Sequence, residues 1–299
     1  MSFSFFLQLL INGFIAGSIY SLIALGFSLI YTTNKFMNFA YGSVVVLCAF
    51  LGYLFSVILQ INFIISIFLA VVYSGLLGFL LAKLLFFSLR EKKASNTSML
   101  IVSIAILIII ESLLLMIFGA GVKSFPILNF LFDVQNSIVI FGAILTWIEI
   151  IIILFSLSLL VIVYLVLMKT GIGIKMRAIS DNPILCESIG ISVKSLMLLA
   201  FIVAFALGGI AGILVGLEYT IEPSMGTGLM IKGFSGAVIG GVTSGVGSIV
   251  GAFIVGIAEN LGAGIFPTQF KDAIAYTLLF IFLIFKPEGL FASKSGEHD

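Results

Sequence analysis

Charge is the scarcest property of this sequence. Lys, Arg, Asp and Glu make up 9% of 299 residues and leave a formal net charge of +1, against about 25% charged residues in a typical soluble domain. That excludes water as the main solvent. The few basic residues are scattered over loops and give no footprint of nucleic-acid binding. Histidine occurs once, at His298. The two cysteines are Cys48 in an apolar run and Cys186 in a polar loop, so neither a metal site, a disulfide, a catalytic centre nor a bound cofactor is expected.

The sequence is instead rich in apolar residues, 62% of the chain with a mean hydropathy of +1.34. Its charges are absent in blocks: before Lys35, from Phe36 to Ala82, from Ile150 to Met168 and from Gly233 to Ala258. A bilayer core about 30 Å thick takes roughly 20 helical residues at 1.5 Å rise, so the block from Phe36 to Ala82 holds at least two passes. No alternation of apolar and polar residues marks the strands of a barrel. The expected fold is an all-α polytopic membrane bundle, a single domain over 1–299. Apolar segments fall at about 6–31, 37–59, 63–88, 98–118, 142–168, 195–218, 229–262 and 273–286. The first lacks the basic start of a cleaved signal and is expected to stay as a span. The segment 229–262 is too long and too glycine-rich to be one helix, and is expected to break into two short or re-entrant pieces, for eight to nine membrane segments.

Lys and Arg gather on the cytoplasmic side of membrane proteins. Arg90, Lys92 and Lys93, then Lys169, Lys175, Arg177 and Lys194, then Lys286 and Lys294 mark two loops and the tail as cytoplasmic. Alternation then puts Lys35 inside, the N-terminus outside, and Lys123, Glu218 and Glu222 in or beside outer loops.

The longest polar loop, 169–194, reads KTGIGIKMRAISDNPILCESIGISVK. Asn182 suits a helix N-cap, Pro183 the first helical position, and Gly190 a left-handed stop. A helix of about seven residues cannot stand alone in water, and Ile184, Leu185 and Ile189 give it an apolar side. It should dock on a partner, on the membrane or on the chain's own cytoplasmic face.

Within this loop Gly173, Arg177, Ala178, Asn182, Gly190 and Ile191 resemble the G-x-x-x-R-A-x-x-x-N-x-x-x-x-x-x-x-G-I signature of branched-chain amino-acid ABC permeases. GSIYSLIALGFSLIY from Gly17, NFAYG from Asn38, Ile221, Pro223 and Gly226, the pair Gly240 and Gly241, Gly247, Gly251, Glu259 and KPEGLF from Lys286 are similar to the same family, in order along nearly the whole chain. The resemblance implies a multi-pass permease of the bacterial inner membrane. Its implied partners are a second permease, homologous or identical, two cytoplasmic ABC ATPase subunits and an extracytoplasmic solute-binding protein. It also implies that the loop couples ATPase motion to the spans. The chain has no G-x-x-x-x-G-K-[ST] phosphate loop, so the energy must come from a partner. Related permeases for urea, amides or a sugar share this frame, and a stand-alone carrier or channel shares the composition.

Acidic residues inside apolar spans cost about 3 kcal/mol on insertion scales, so Glu111, Glu149 and Glu259 should not face lipid. Glu259 is a candidate for the translocation path or for contact with a partner helix. Asn38, Tyr41 and Gly42, where a broken helix would free backbone groups, and Ser103 are further path candidates. The family usually carries histidine where this chain has Tyr41, and T-I-G where it has Ser103, Ile104 and Ala105. Small-xxx-small pairs such as Gly13/Gly17, Gly212/Gly216, Gly236/Gly240 and Gly247/Gly251 should let helices approach closely, and the 30 phenylalanines should serve core and lipid contact.

Overall fold

A computed structural model describes residues 3–125 and 137–291; the sequence expectations for Lys294 and His298 lie outside them. The described chain is a helical bundle. Helix α1 runs Phe3–Asn34 and α2 Ala40–Tyr53, the latter prolonged by a π-turn at Leu54–Ile58. Helix α3 (Phe63–Leu80) continues through a π-turn, Leu81–Phe86, into α4 (Phe87–Glu91), and α5 spans Asn96–Phe118. Two short antiparallel strands, β1 (Ile138–Ile140) and β2 (Ala143–Leu145), precede α6 (Trp147–Lys169). Next come α7 (Gly171–Asp181), α8 (Pro183–Ser188), α9 (Val193–Glu218), α10 (Met225–Gly240), α11 (Gly245–Gly262) and α12 (Lys271–Phe285).

Among the described residues seven helices are long and apolar enough to cross a bilayer, and the shorter α10 and α12, with 16 and 15 residues, accompany them. Among the described residues the two strands depart from the expected all-helical fold; β2 occupies the start of the expected segment 142–168, and Thr146 then opens α6. A capping box starts that helix: the Thr146 N–H donates to Glu149 Oε2 at 2.6 Å while the Glu149 N–H donates to Thr146 Oγ1. Glu149 therefore sits at a helix start, satisfying a backbone donor.

Hydropathy and burial run in opposite directions. In their most apolar 18-residue stretches α5 and α6 have mean hydropathies of 3.0 and 3.2, yet only 22% and 17% of those residues are buried; the corresponding stretch of α1, at 1.9, is 94% buried. In water the apolar face would turn inward. Here the most apolar helices are outermost, as a hydrocarbon solvent dictates, while small and hydroxylated residues sit where helices meet. The core column is aromatic: Phe36, Phe86, Phe201, Phe205 and Tyr41 follow one another with ring centroids 4.9 to 5.8 Å apart.

The small-xxx-small pairs face other parts of the same chain: Gly13 and Gly17 meet α11 at Ile257 and Phe253, Gly212 meets the Val45 carbonyl of α2, and Gly216 meets Phe125 and Ile221. The region 229–262 breaks into two helices as expected, at Gly241 (φ 105°). The two pieces, α10 and α11, then close on each other so tightly that a Cβ on Gly240 would collide with the Gly247 carbonyl, and one on Gly236 would lie 2.6 Å from Ala252 Cα.

Residues 286–291 return beneath this hairpin. The Leu290 N–H donates to Ile239 O and the Phe291 N–H to Gly240 O, each at 2.9 Å, which satisfies two carbonyls that the end of α10 would leave bare.

The basic loops collect at one end of the bundle. Lys35 Nζ donates to Ser180 Oγ at 3.4 Å, Asn96 Nδ2 to Lys35 O at 3.2 Å, and Lys194 pairs with Glu91 at 2.7 Å. At the other end the N–H of Lys123 donates to the carbonyl of Ile221 at 2.9 Å, and Ile221 lies between Glu218 and Glu222 along the chain.

Candidate functional site

The polar loop at the basic end holds two helices. Asn182 joins them. Its N–H donates to Ala178 O at the end of α7, and its Oδ1 accepts the Leu185 N–H at 3.0 Å, capping α8. Pro183 occupies the first turn, and Gly190 (φ 83°) ends the helix in the left-handed region. The longer α7 has weaker local signals, with glycines at its first and third positions, but Thr170 Oγ1 caps it by accepting the Gly173 N–H at 3.3 Å.

The cationic side chain in the motif is part of this framework. Arg177 Nη2 donates to Met168 O at 3.3 Å and Nη1 contacts Met168 Sδ at 3.2 Å. A guanidinium thus covers a carbonyl at the end of α6, where the helix dipole favours positive charge. Ala178 is partly buried against a small cluster of Ile179, Cys186, Val193 and Met197 that glues α7 and α8 to the start of α9; Ile191 packs on the same cluster. Cys186 is the buried side of α8. Ile184 and Leu185 on the rest of that helix, and Ile189 just past its end, are 77%, 61% and 69% exposed. A groove of about 280 Å³ runs along α8, lined by Phe87, Arg90, Glu187, Lys194 and Met197 among others.

The polar residues singled out inside the spans divide into two regions. Near the basic end, the chain re-enters the bundle between α1 and α2. Asn38 Oδ1 accepts the Ala40 N–H at 3.1 Å, and Ser103 Oγ accepts the Phe39 N–H at 3.0 Å, so both serve the start of α2. Tyr41 is fully buried with its ring against Gly26, Gly208 and Phe205, and Gly42 lies against Met230 and Gly226 of α10.

Glu259 belongs to the second region. Its Oε1 accepts from Lys232 Nζ at 2.8 Å, and the same ammonium reaches Asp272 Oδ1 at 2.8 Å and Tyr20 OH at 3.3 Å. One lysine therefore ties α10 to α1, α11 and α12. Lys232 and Asp272 are absent from the sequence-based candidates, although a lysine within the apolar run 229–262 is itself a signal of a partnered or functional site.

Three buried side-chain atoms among the described residues have no hydrogen-bond partner: Asn38 Nδ2, Tyr41 Oη and Glu259 Oε2. All three belong to residues picked from sequence as path candidates. Unpaired buried polar atoms are costly, and here they cluster on the residues whose presence in apolar spans was hardest to explain by packing.

A family model described as "Branched-chain amino acid transport system / permease component" matches residues 9–284. The BraD branched-chain amino acid permease protein of Pseudomonas aeruginosa is 27% identical, over 98% of this chain and 97% of that one. LivH of Escherichia coli K12 is 28% identical over 99% and 98%, and a probable LivH of Methanocaldococcus jannaschii is 30% identical over 80% and 76%. Among solved structures, PsaBC from Streptococcus pneumoniae in complex with Fab superposes with a TM-score of 0.53 over 96% of this chain and 94% of that chain, at 13% identity. That likeness is one of fold alone.

Proposed function

Because this chain belongs to the permease-component family of branched-chain amino acid transport systems, we propose that it is the membrane-spanning subunit of a binding-protein-dependent ABC importer for branched-chain or related amino acids. It works as one transmembrane domain of the cytoplasmic membrane, with its N-terminus outside and its basic end in the cytoplasm. A second permease completes the pathway, two ATPases supply the energy, and a solute-binding protein delivers the amino acid. The chain itself carries out no bond chemistry.

The observation that carries this reading is the uncovered apolar side of α8. Ile184, Leu185 and Ile189 point outward from a helix whose ends are both capped and whose inner side is packed, the form expected of a docking knob. A push on α8 reaches α9 through Val193 and Met197, and α6 through Asn182, α7 and the Arg177 contact. Helix α9 carries Phe205 and Gly208 against Tyr41, so the knob is mechanically continuous with the proposed path residues Asn38, Tyr41, Gly42 and Ser103. Glu259 is the proposed path residue of the opposite region. Alternating access follows if ATP-driven approach of the two ATPases shifts α9 against α2.

The test is copurification. Ile184→Asp with Leu185→Asp should leave the permease in the membrane but strip the ATPases from it and abolish uptake of leucine in vesicles loaded with ATP. An ATPase complex that survives this double change counts against the docking site, and uptake by the purified chain alone without ATP counts against the importer.

A further inference from the structure

A cavity of about 360 Å³ lies at the basic end, a volume within the roughly 300–1,000 Å³ of small-molecule sites. Its walls come from α1, from the α6 and α7 pair, and from the turn that starts α11. The inner part is mainly apolar, with Leu29, Leu167, Met176 and Ile249 beside the buried Ser28 and Thr33. The rim is polar: Tyr164, Thr243 and the one charged lining side chain, Arg177. Lys35 stands beside that rim, its Nζ on the lining Ser180 hydroxyl. No Asp or Glu lines the cavity among the described residues.

We propose that this cavity is a binding site for an anionic phospholipid, its phosphate between Lys35 and Arg177 and the first part of an acyl chain against Leu29, Leu167 and Ile249. Three observations favour that occupant. The charge at the rim is of one sign. Arg177 spends one edge of its guanidinium on Met168 and has further N–H donors for an anion, since the fork carries five. The α6 wall belongs to the least buried and most apolar span, so the cavity opens beside a helix that faces lipid. Basic pockets between spans near the cytoplasmic surface are where lipid headgroups are captured. The lipid would then sit against α7 and the α10–α11 turn, holding together the two elements that a moving α8 and the hairpin must shift.

Native mass spectrometry of the full-length chain, purified with its copurifying subunits, tests this by titration with phosphatidylglycerol and with phosphatidylcholine. Wild type should retain phosphatidylglycerol selectively. Lys35→Gln, an exposed change that leaves the apolar wall intact, should weaken it about fivefold, the effect of one cation near a lipid surface, and Ile249→Trp should abolish it by filling the cavity. Equal retention of both lipids, or unchanged binding in both variants, overturns the proposal. Displacement by inorganic phosphate at low millimolar concentration would make this a free-anion site, and loss of a protein subunit from Ile249→Trp with lipid binding unchanged would make it a subunit contact; either result also overturns it.

Discussion

The Glu111 carboxylate of α5 accepts both the backbone N–H and the hydroxyl of Thr227, at 3.1 and 3.0 Å. Thr227 is the third residue of α10, and the preceding Ser224 offers no side-chain cap of its own. One membrane helix thus caps another, at an exposed start of α10 where bare N–H groups need an acceptor and the helix dipole favours a negative neighbour. Glu111→Ala should destabilise the solubilised complex by about 1–2 kcal/mol and lower uptake, whereas Glu111→Gln, which keeps a carbonyl acceptor, should lose less. Thermal unfolding of the two variants checks the order; equal losses would show that the negative charge carries the cap.

The Lys232 ammonium has a second carboxylate, Asp272, whose side chain is 59% exposed against 4% for Glu259. The two pairs should therefore differ in weight. Removing one member of a buried pair strands the other and costs about 3–5 kcal/mol, while an exposed pair contributes at most about 1 kcal/mol. Lys232→Met should sharply reduce the amount of folded protein, and Asp272→Asn should leave it almost unchanged. Glu259→Gln should lie between, because the amide oxygen still accepts from Lys232 although the charge of the pair is lost. Impaired uptake at near-normal thermal stability in Glu259→Gln would mark it as a path residue; unchanged uptake would remove it from the path.

These two clusters show what a linear reading reaches. The spans are legible because bilayer thickness sets their length, and observed helix bounds lie within a few residues of the apolar runs. The caps at Asn182, Pro183 and Gly190 are legible because capping is decided within four residues of chain. Lys232 with Glu259, and Glu111 with Thr227, are 27 and 116 positions apart, and nothing local selects one partner over another. Helix α7 is obscured for a different reason: Gly171 and Gly173 are poor helix formers, and it is packing of Met176 and Ile179 that sustains them. Arg177 reads from sequence as a contact for a partner, while in the fold it first serves to hold α7 against α6.

The α10–α11 seam supplies a third prediction with its own control. A methyl group on Gly240 would run into the Gly247 backbone, whereas one on Gly228, also in α10, meets nothing within 4 Å. Gly240→Ala should prevent accumulation of the folded chain, and Gly228→Ala should be neutral or slightly stabilising through its better helix propensity. Detergent-resistant folded protein on size-exclusion chromatography separates the two. Comparable yields would mean that the hairpin opens more readily than its packing implies.

Gly190 and Gly289 allow the terminal strap to be weighed against a plain turn. Both adopt left-handed backbone, φ 83° and 84°, so alanine at either site carries a conformational cost of roughly 1–2 kcal/mol. Their surroundings differ: Gly190 is open, while a Cβ on Gly289 would press into Gly241. Gly289→Ala must therefore either strain the turn at Gly241 or pull Leu290 and Phe291 away from the carbonyls of Ile239 and Gly240. It should lower thermal stability by more than Gly190→Ala does, and because Phe291 also lines the lipid-sized cavity, it should loosen that wall. Gly190→Ala should instead act on the knob, reducing ATPase copurification with little change in the melting temperature of the permease. Reversal of that pattern would mean that the strap rests on the hairpin without holding it.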